Sequence, residues 1–320
     1  MAHEAEGRDG RAPILVVVGP TAVGKSEFAV LACERLDGEV LSFDSMQVYR
    51  RFDRATAKPE AALRLRVPHH GIDLANPGQD FSLGEFVRRA EATIEAIRSR
   101  GRLPVLVGGT GLYLRGLLKG IAPAPRRDEA IRARLRAIET RGGTARLHRL
   151  LQRLDPGAAA RLRPADRQRV ARALEVFLAA RRGLDVLIRE SPFGADRYAA
   201  VKIGLTMKRE VLYRLIDERV VGFFRAGLVD EVRGLLRDGC PRSANAFKGL
   251  GYKEVLMHLD GHLGLADAIV LTQRNTRRYA KRQLTWFRKE EGVAWFEVDP
   301  SRDDRFQEPL AHAAGVRLGC

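Results

Sequence analysis

The chain has 320 residues, 45% apolar and 30% charged, with a formal net charge of +16. That is material for about two domains with buried cores, and it excludes collagen, low-complexity disorder and a disulfide-built miniprotein. Cys33, Cys240 and Cys320 are far apart with no Cys-x-x-Cys pair, so neither a disulfide framework nor a zinc site is expected.

In chain order, residues 1–12 read as a polar, disordered tail without the apolar core of a secretory signal. The longest aliphatic run, Ile14–Val18, is far short of the ~20 residues a membrane helix needs, so a cytoplasmic protein with no membrane partner is expected. Ile14–Val18 itself reads as a buried parallel strand. It leads into Gly19–Ser26 (GPTAVGKS) and a helical pattern through Leu36. Asp37-Gly38 is a turn, and Glu39–Phe43 a second strand that ends at Asp44. Apolar residues at Phe86, Ala90, Ile94 and Ile97 predict a one-sided helix over 85–100, stopped by Gly101. Leu103–Val107 is a third buried strand, followed by Gly-Gly-Thr-Gly. Alternating strands and helices imply a doubly wound parallel sheet.

After Lys119 the pattern changes. A proline-marked hinge (IAPAPRRDEA) precedes a stretch with only helical patterns, broken at Gly142-Gly143 and Asp155-Pro156-Gly157. Residues 126–190 hold 17 Arg, no Lys and 8 acids, which is +9 of the +16. Tyr198–Leu205 is a returning strand, with helices expected from Arg209 to the end of the core. The fold class is therefore α/β: a P-loop NTPase-like core over 13–125 and 191–310, interrupted by an all-helical, Arg-rich domain over 126–190. Such a charge concentration points to a nucleic acid.

Gly19, Pro20, Thr21, Ala22, Val23, Gly24, Lys25 and Ser26 fit G-x-x-x-x-G-K-[ST] in its proper context, after a strand and opening a helix. Backbone N–H groups and the helix N-terminus offer a phosphate cradle; Lys25 adds a point charge, and Ser26 a ligand for Mg²⁺. The third strand ends without the acid that a P-loop hydrolase uses. The acid stands instead after the second strand, as Asp44. It reads either as a general base on an acceptor near the phosphates or as a cap or outer Mg²⁺ partner. Adjacent His69 and His70 point apart on a strand and read as structural.

Seven runs in order then match one family: GPTAVGKS (19–26), FDSMQVYRRFDRATAKP (43–59), PHHGID (68–73), LVGGTGLYLRGLL (106–118), RQRVARALEV (167–176), GLGYKE (249–254) and YAKRQLTWFR (279–288). The chain resembles bacterial tRNA dimethylallyltransferases. The resemblance implies that the P-loop holds the diphosphate of dimethylallyl diphosphate, with Mg²⁺, rather than ATP. It implies that Asp44 is the general base toward an adenosine N6 beside the anticodon, that Thr110 bonds near the reacting adenine, and that Arg219 clamps the diphosphate. It also implies tRNA contacts at Asp44, Ser45, Met46, Gln47, Thr110 and Arg132, at Gln168, Arg169, Val170, Ala171 and Arg172, and at Lys248, Gly251, Tyr252 and Lys253. The terminal helix, read over 272–289, carries Arg274, Arg278, Lys281 and Arg288 on one stripe with no acid before Glu290; like charges at that spacing repel unless phosphates relieve them. Lys281, Arg282 and Arg288 there are expected on tRNA, with Trp286 and Phe287 in the core. Ala55 stands where the family pattern has glycine, which matters if that backbone needs a positive φ. The expected partners are the tRNA anticodon stem-loop and the prenyl donor, bound by a monomer. A small-molecule P-loop kinase or an adenine-nucleotide prenyltransferase would share the cradle but not need the arginine-rich insertion.

Overall fold

The computed structural model describes residues 11–121, 124–125, 127–190 and 194–316. Residues 1–10 of the expected tail lie outside the described residues. Ala12, by contrast, is already tied in: its carbonyl accepts the Ala199 amide at 2.9 Å.

The chain divides into two compact units, 1–118 with 197–320, and 119–196. The second is wider at both ends than the stretch read from arginine density, because the strand-bearing chain resumes only at Arg197.

In the first unit six described strands form one parallel sheet. They are β1 (Pro13–Val18), β2 (Gly38–Ser42), β3 (His69–His70), β4 (Leu103–Val107), β5 (Ala199–Thr206) and β6 (Val293–Glu297), in the order β3-β2-β4-β1-β5-β6. β1 carries Leu15 and Val17 on one face and Ile14, Val16 and Val18 on the other, all fully buried. A strand covered on both sides must be apolar throughout, as this run is. α1 (Lys25–Leu36) covers the first face, and α3 (Leu83–Ser99) and α4 (Gly111–Lys119) the second. α2 (Ala61–Arg66) is short and buries none of its residues. Ser82 caps α3, its Oγ accepting from Glu85 N at 3.1 Å.

β3 and β6 correct the sequence reading. His69-His70 is too short to show a period, yet it pairs with Val40 and Leu41. Both histidines serve structure: His69 Nδ1 lies 2.9 Å from the Val67 carbonyl and His70 Nε2 2.6 Å from Glu39. β6 breaks the expected all-helical end; its half-covered edge position hides it from a search for buried runs.

In the second unit, α5 (Glu129–Leu154) is interrupted by non-helical backbone at Gly142 and Gly143. α6 (Pro156–Arg161), α7 (Arg167–Ala180) and α8 (Leu184–Arg189) follow. Leu135, Leu147, Leu151, Val170 and Leu174 make its core. Back in the first unit, α9 (Arg209–Arg225), α10 (Leu228–Arg237), α11 (Tyr252–Leu259) and α12 (Leu265–Phe287) surround a further core of Val48, Phe52, Phe247 and Tyr252 or pack on the sheet. α13 (Gln307–Ala313) and Val316 extend the core past residue 310. Phe287 is fully buried and Trp286 packs beside it, as expected. Ala55 does not take a positive φ, so alanine is unstrained there.

Candidate active site

The loops at the C-terminal ends of β1, β2 and β4 open into a cavity of about 860 Å³ lined, among the described residues, by the first unit. This is where parallel α/β sheets place ligands. Gly19 enters the phosphate loop at φ 144, and a Cβ there would stand 2.4 Å from the Leu205 carbonyl, so only glycine fits. Gly24, at φ 94, turns the chain into α1, whose first-turn amides lack intrahelical partners. Thr21, Ala22, Gly24, Lys25 and Ser26 face the cavity; Pro20 and Val23 are buried behind them.

Lys25 Nζ donates to the Pro20 carbonyl at 2.7 Å. Burial, and then the nearby Arg219 guanidinium, push its pKa down to about 7 against the opposing pull of Asp44. Arg219, on α9, opens to cavity solvent while protein surrounds it, and desolvation lowers its pKa too. Its guanidinium carbon lies 5.7 Å over the Phe223 ring. A lysine depressed by burial and by a neighbouring guanidinium, with both cations lining one hollow, marks an anion site.

Asp44 follows β2 directly. Its Oδ1 accepts from Met46 N at 2.8 Å and Gln47 N at 3.4 Å, closing a turn over 45–48 rather than capping a helix, since none begins there. Burial pushes its pKa up; the Met46 and Gln47 amides and Lys25 pull back without reversing the shift. Oδ2 makes no hydrogen bond among the described residues. Thr110 Oγ1 accepts from Ser45 N at 3.0 Å and donates to Ser45 Oγ at 3.3 Å, fixing the β4 loop beside Asp44. Among the described residues no three His, Cys, Asp or Glu side chains form a metal cluster. The Ser26 hydroxyl, which lines the cavity at the start of α1, could hold a Mg²⁺ ion together with phosphate oxygens and water.

A family model described as IPP transferase matches residues 47–290. The chain belongs to this IPP transferase family. Among its relatives, the tRNA dimethylallyltransferase of Geobacter sulfurreducens is 47% identical over 91% of this chain and 93% of its own length. That of Symbiobacterium thermophilum is 44% identical over 96% and 97%. The crystal structure of the Bacillus halodurans tRNA isopentenylpyrophosphate transferase aligns with TM-score 0.71 at 41% identity, covering 96% of this chain and 97% of that one. A eukaryotic dimethylallyltransferase acting on tRNA aligns with TM-score 0.79 at 26% identity, covering 94% and 77%.

The remaining residues implied by the IPP transferase resemblance divide clearly. Met46, Gln47, Lys248, Lys253 and Arg282 line the same cavity as Asp44. The Gln47 amide is already engaged: its Oε1 accepts from Ser42 and its Nε2 donates to the Thr56 and Ala57 carbonyls. Gly251 is buried. Tyr252 also borders this cavity, but its side chain is fully buried and its hydroxyl donates to Glu231 at 2.6 Å, so that hydroxyl is already engaged within the protein. In the second unit Gln168 and Arg169 are exposed, while Val170 is 0% exposed and packs in the core, so it offers RNA no side chain. Ala171 is half-buried. Arg132 and Arg172 converge on buried Glu175, and Arg172 also donates to the Pro125 carbonyl. Lys281 and Arg288 are exposed on or just after α12 with no ion pair among the described residues.

The sequence reading missed Tyr279 and Gln283, which line the cavity from α12. Both lie in the motif run YAKRQLTWFR, where the signal was two polar, uncharged side chains four residues apart, beside Lys281 and Arg282.

Proposed function

We propose that the chain transfers the dimethylallyl group of dimethylallyl diphosphate to N6 of the adenosine 3′-adjacent to the anticodon in tRNA, releasing diphosphate. The observation that carries this reading is the meeting of the P-loop cation Lys25 and the α9 cation Arg219 with a half-buried carboxylate short of partners, Asp44, in one cavity. No acid follows β4 to serve ATP hydrolysis, which weighs against a kinase.

The phosphate loop amides, Lys25 and Arg219 bind the diphosphate and take up the charge that grows on it as the prenyl C1–O bond breaks. Mg²⁺, when bound at Ser26, further neutralises the leaving group. Adenine N6 forms the new bond to C1, and its proton passes to Asp44 Oδ2. Thr110 holds the Asp44–Ser45 turn against β4 so that this oxygen faces the acceptor. The base must leave its stack to enter such a cavity. Gln168 and Arg169 of the second unit, with Lys281, Arg282 and Arg288, then hold the anticodon stem-loop by edge and phosphate contacts. The protein acts as a monomer in this reading.

Incubation with labelled dimethylallyl diphosphate, Mg²⁺ and unmodified tRNA tests it, with AMP as a parallel acceptor. Label is expected in the tRNA. Label in AMP alone, or ATP turnover with a small acceptor and none with tRNA, sinks the proposal.

A further inference from the structure

Gln283 lies on α12 and is 4% exposed. Its amide bridges two loops far apart in sequence. Oε1 accepts from Thr21 N at 2.8 Å, and Nε2 donates to the Gly109 carbonyl at 3.1 Å. Thr21 belongs to the phosphate loop. Gly109 immediately precedes Thr110, whose Oγ1 accepts from Ser45 N beside Asp44. A connected path of hydrogen bonds and peptide links thus runs from the anion cradle to the carboxylate.

We propose that Gln283 is a positioning residue that sets the spacing between the phosphate loop and the Thr110–Asp44 pair. The proposal rests on the prenyl-transfer reading above. Three features support it. An amide supplies one acceptor and one donor at this span; a carboxylate would set an oxygen against the Gly109 carbonyl, and an aliphatic chain would leave both loops without this partner. The fit is close, since a Cβ on Gly109 would come within 2.1 Å of Gln283 Nε2, and one on Gly111 within 2.1 Å of Trp286 Nε1. α12 therefore seats directly on the loop that carries Thr110. Finally, the Thr21 amide is spent on Gln283, so Gln283 shapes the phosphate loop through its backbone. Tyr279, one turn earlier, also donates to the Gly109 carbonyl at 3.2 Å, which keeps that carbonyl satisfied when Gln283 is replaced.

A displacement of about 1 Å between reacting groups costs on the order of 100-fold in rate. In the full chain, Gln283→Leu is expected to lower kcat 10- to 100-fold, with KM for tRNA within about twofold and the melting temperature little changed. The deciding readout is a double-mutant cycle with Thr110→Ala. If Gln283 acts through the Thr110 loop, Thr110→Ala costs at least about fivefold less in the Gln283→Leu background than in the wild type. Gln283→Glu, nearly isosteric, carries the same measurements if the Leu variant does not fold. A kcat within twofold of wild type, or two losses that multiply in full, overturns the proposal while leaving the transfer activity standing. A wild-type chain that prenylates no tRNA overturns the activity reading itself, and this proposal with it.

Discussion

Two desolvated carboxylates, one in each unit, are treated in opposite ways: Glu175 is buried, and Asp44 is half-buried in the wall of the cavity. Glu175, 1% exposed, receives Arg132 at 2.9 and 3.1 Å, Arg172 at 3.0 Å and the Asp128 amide at 2.9 Å. Burial alone would raise its pKa, but Arg132, the Asp128 amide and Arg172 outweigh that and hold it at about 2. Asp44 has no guanidinium bonded to it. Two backbone amides share one of its oxygens, Lys25 acts only through space, and burial keeps the pKa raised. A carboxylate neutralised on every side holds helices together; one left short of partners in a cavity is available to take a proton. The same contrast runs through the bases. Many arginines of the second unit are paired, among them Arg127 with Glu129, Arg161 with Asp185, Arg167 with Glu139 and Arg182 with Glu190. Arg274, Arg278 and Lys281 of α12 stand exposed with no ion pair among the described residues. Density of charge in a sequence is thus not density of available charge.

The comparison breaks most sharply at Asp44. Asp44→Asn is expected to lower kcat by about 10²–10⁴-fold, the span of a lost general base, while the melting temperature holds or rises because a desolvated charge is gone. Single-turnover transfer and thermal melting measure both; a variant near wild-type rate removes Asp44 from the base role. Glu175→Gln should do the reverse. Removing one partner of a fully buried pair costs ~3–5 kcal/mol, but Arg132 and Arg172 are 34% and 36% exposed. Solvent screening therefore brings the expected loss to about 2 kcal/mol, read by denaturant unfolding, with donor affinity unchanged.

Titration separates the two sites further. Asp44 must be ionised to accept a proton, so kcat rises with pH through its elevated pKa. Lys25 is cationic only below about 7 in the free protein, so donor affinity should weaken as pH climbs through that value, and a donor KM flat from pH 6 to 8.5 contradicts the cradle. Glu175 has a folded pKa below its unfolded one. Its stabilisation is complete above the ordinary Glu range of about 4.3 and is lost as pH falls toward 2.

What was legible in the sequence follows from this physics. β1 and β4 are buried on both faces, so their apolar runs declare them, and the phosphate loop carries its glycines at fixed spacing. Asp44 was legible as an acid displaced from its usual strand. Glu175 was not, because one acid in a basic helix looks like a solvated face until the fold closes two arginines over it. Val170 entered the RNA set because it sits inside a motif run, and only packing tells which face of the helix it occupies. Gln283 and Tyr279 lay inside a motif run, but nothing there marked them out, since a neutral side chain such as Gln283, bridging residues 174 and 262 positions away, leaves no local trace of its partners.

The smallest expected effect tests the availability of charge itself. Each lysine or arginine that neutralises one phosphate contributes about one unit to the slope of log affinity against log salt. Lys281→Gln and Arg288→Gln should each weaken tRNA binding a few-fold and flatten that slope by about one, with the melting temperature unmoved, since neither side chain holds a partner among the described residues. Arg132→Gln should lower the melting temperature by leaving Glu175 short of its bidentate partner, and should leave the salt slope nearly as it was. Filter binding across a salt series, run beside thermal melts of the same three variants, makes the distinction. If Arg132→Gln flattens the slope as much as Lys281→Gln does, then pairing with Glu175 does not withdraw an arginine from RNA, and the paired helices are as much an RNA surface as α12.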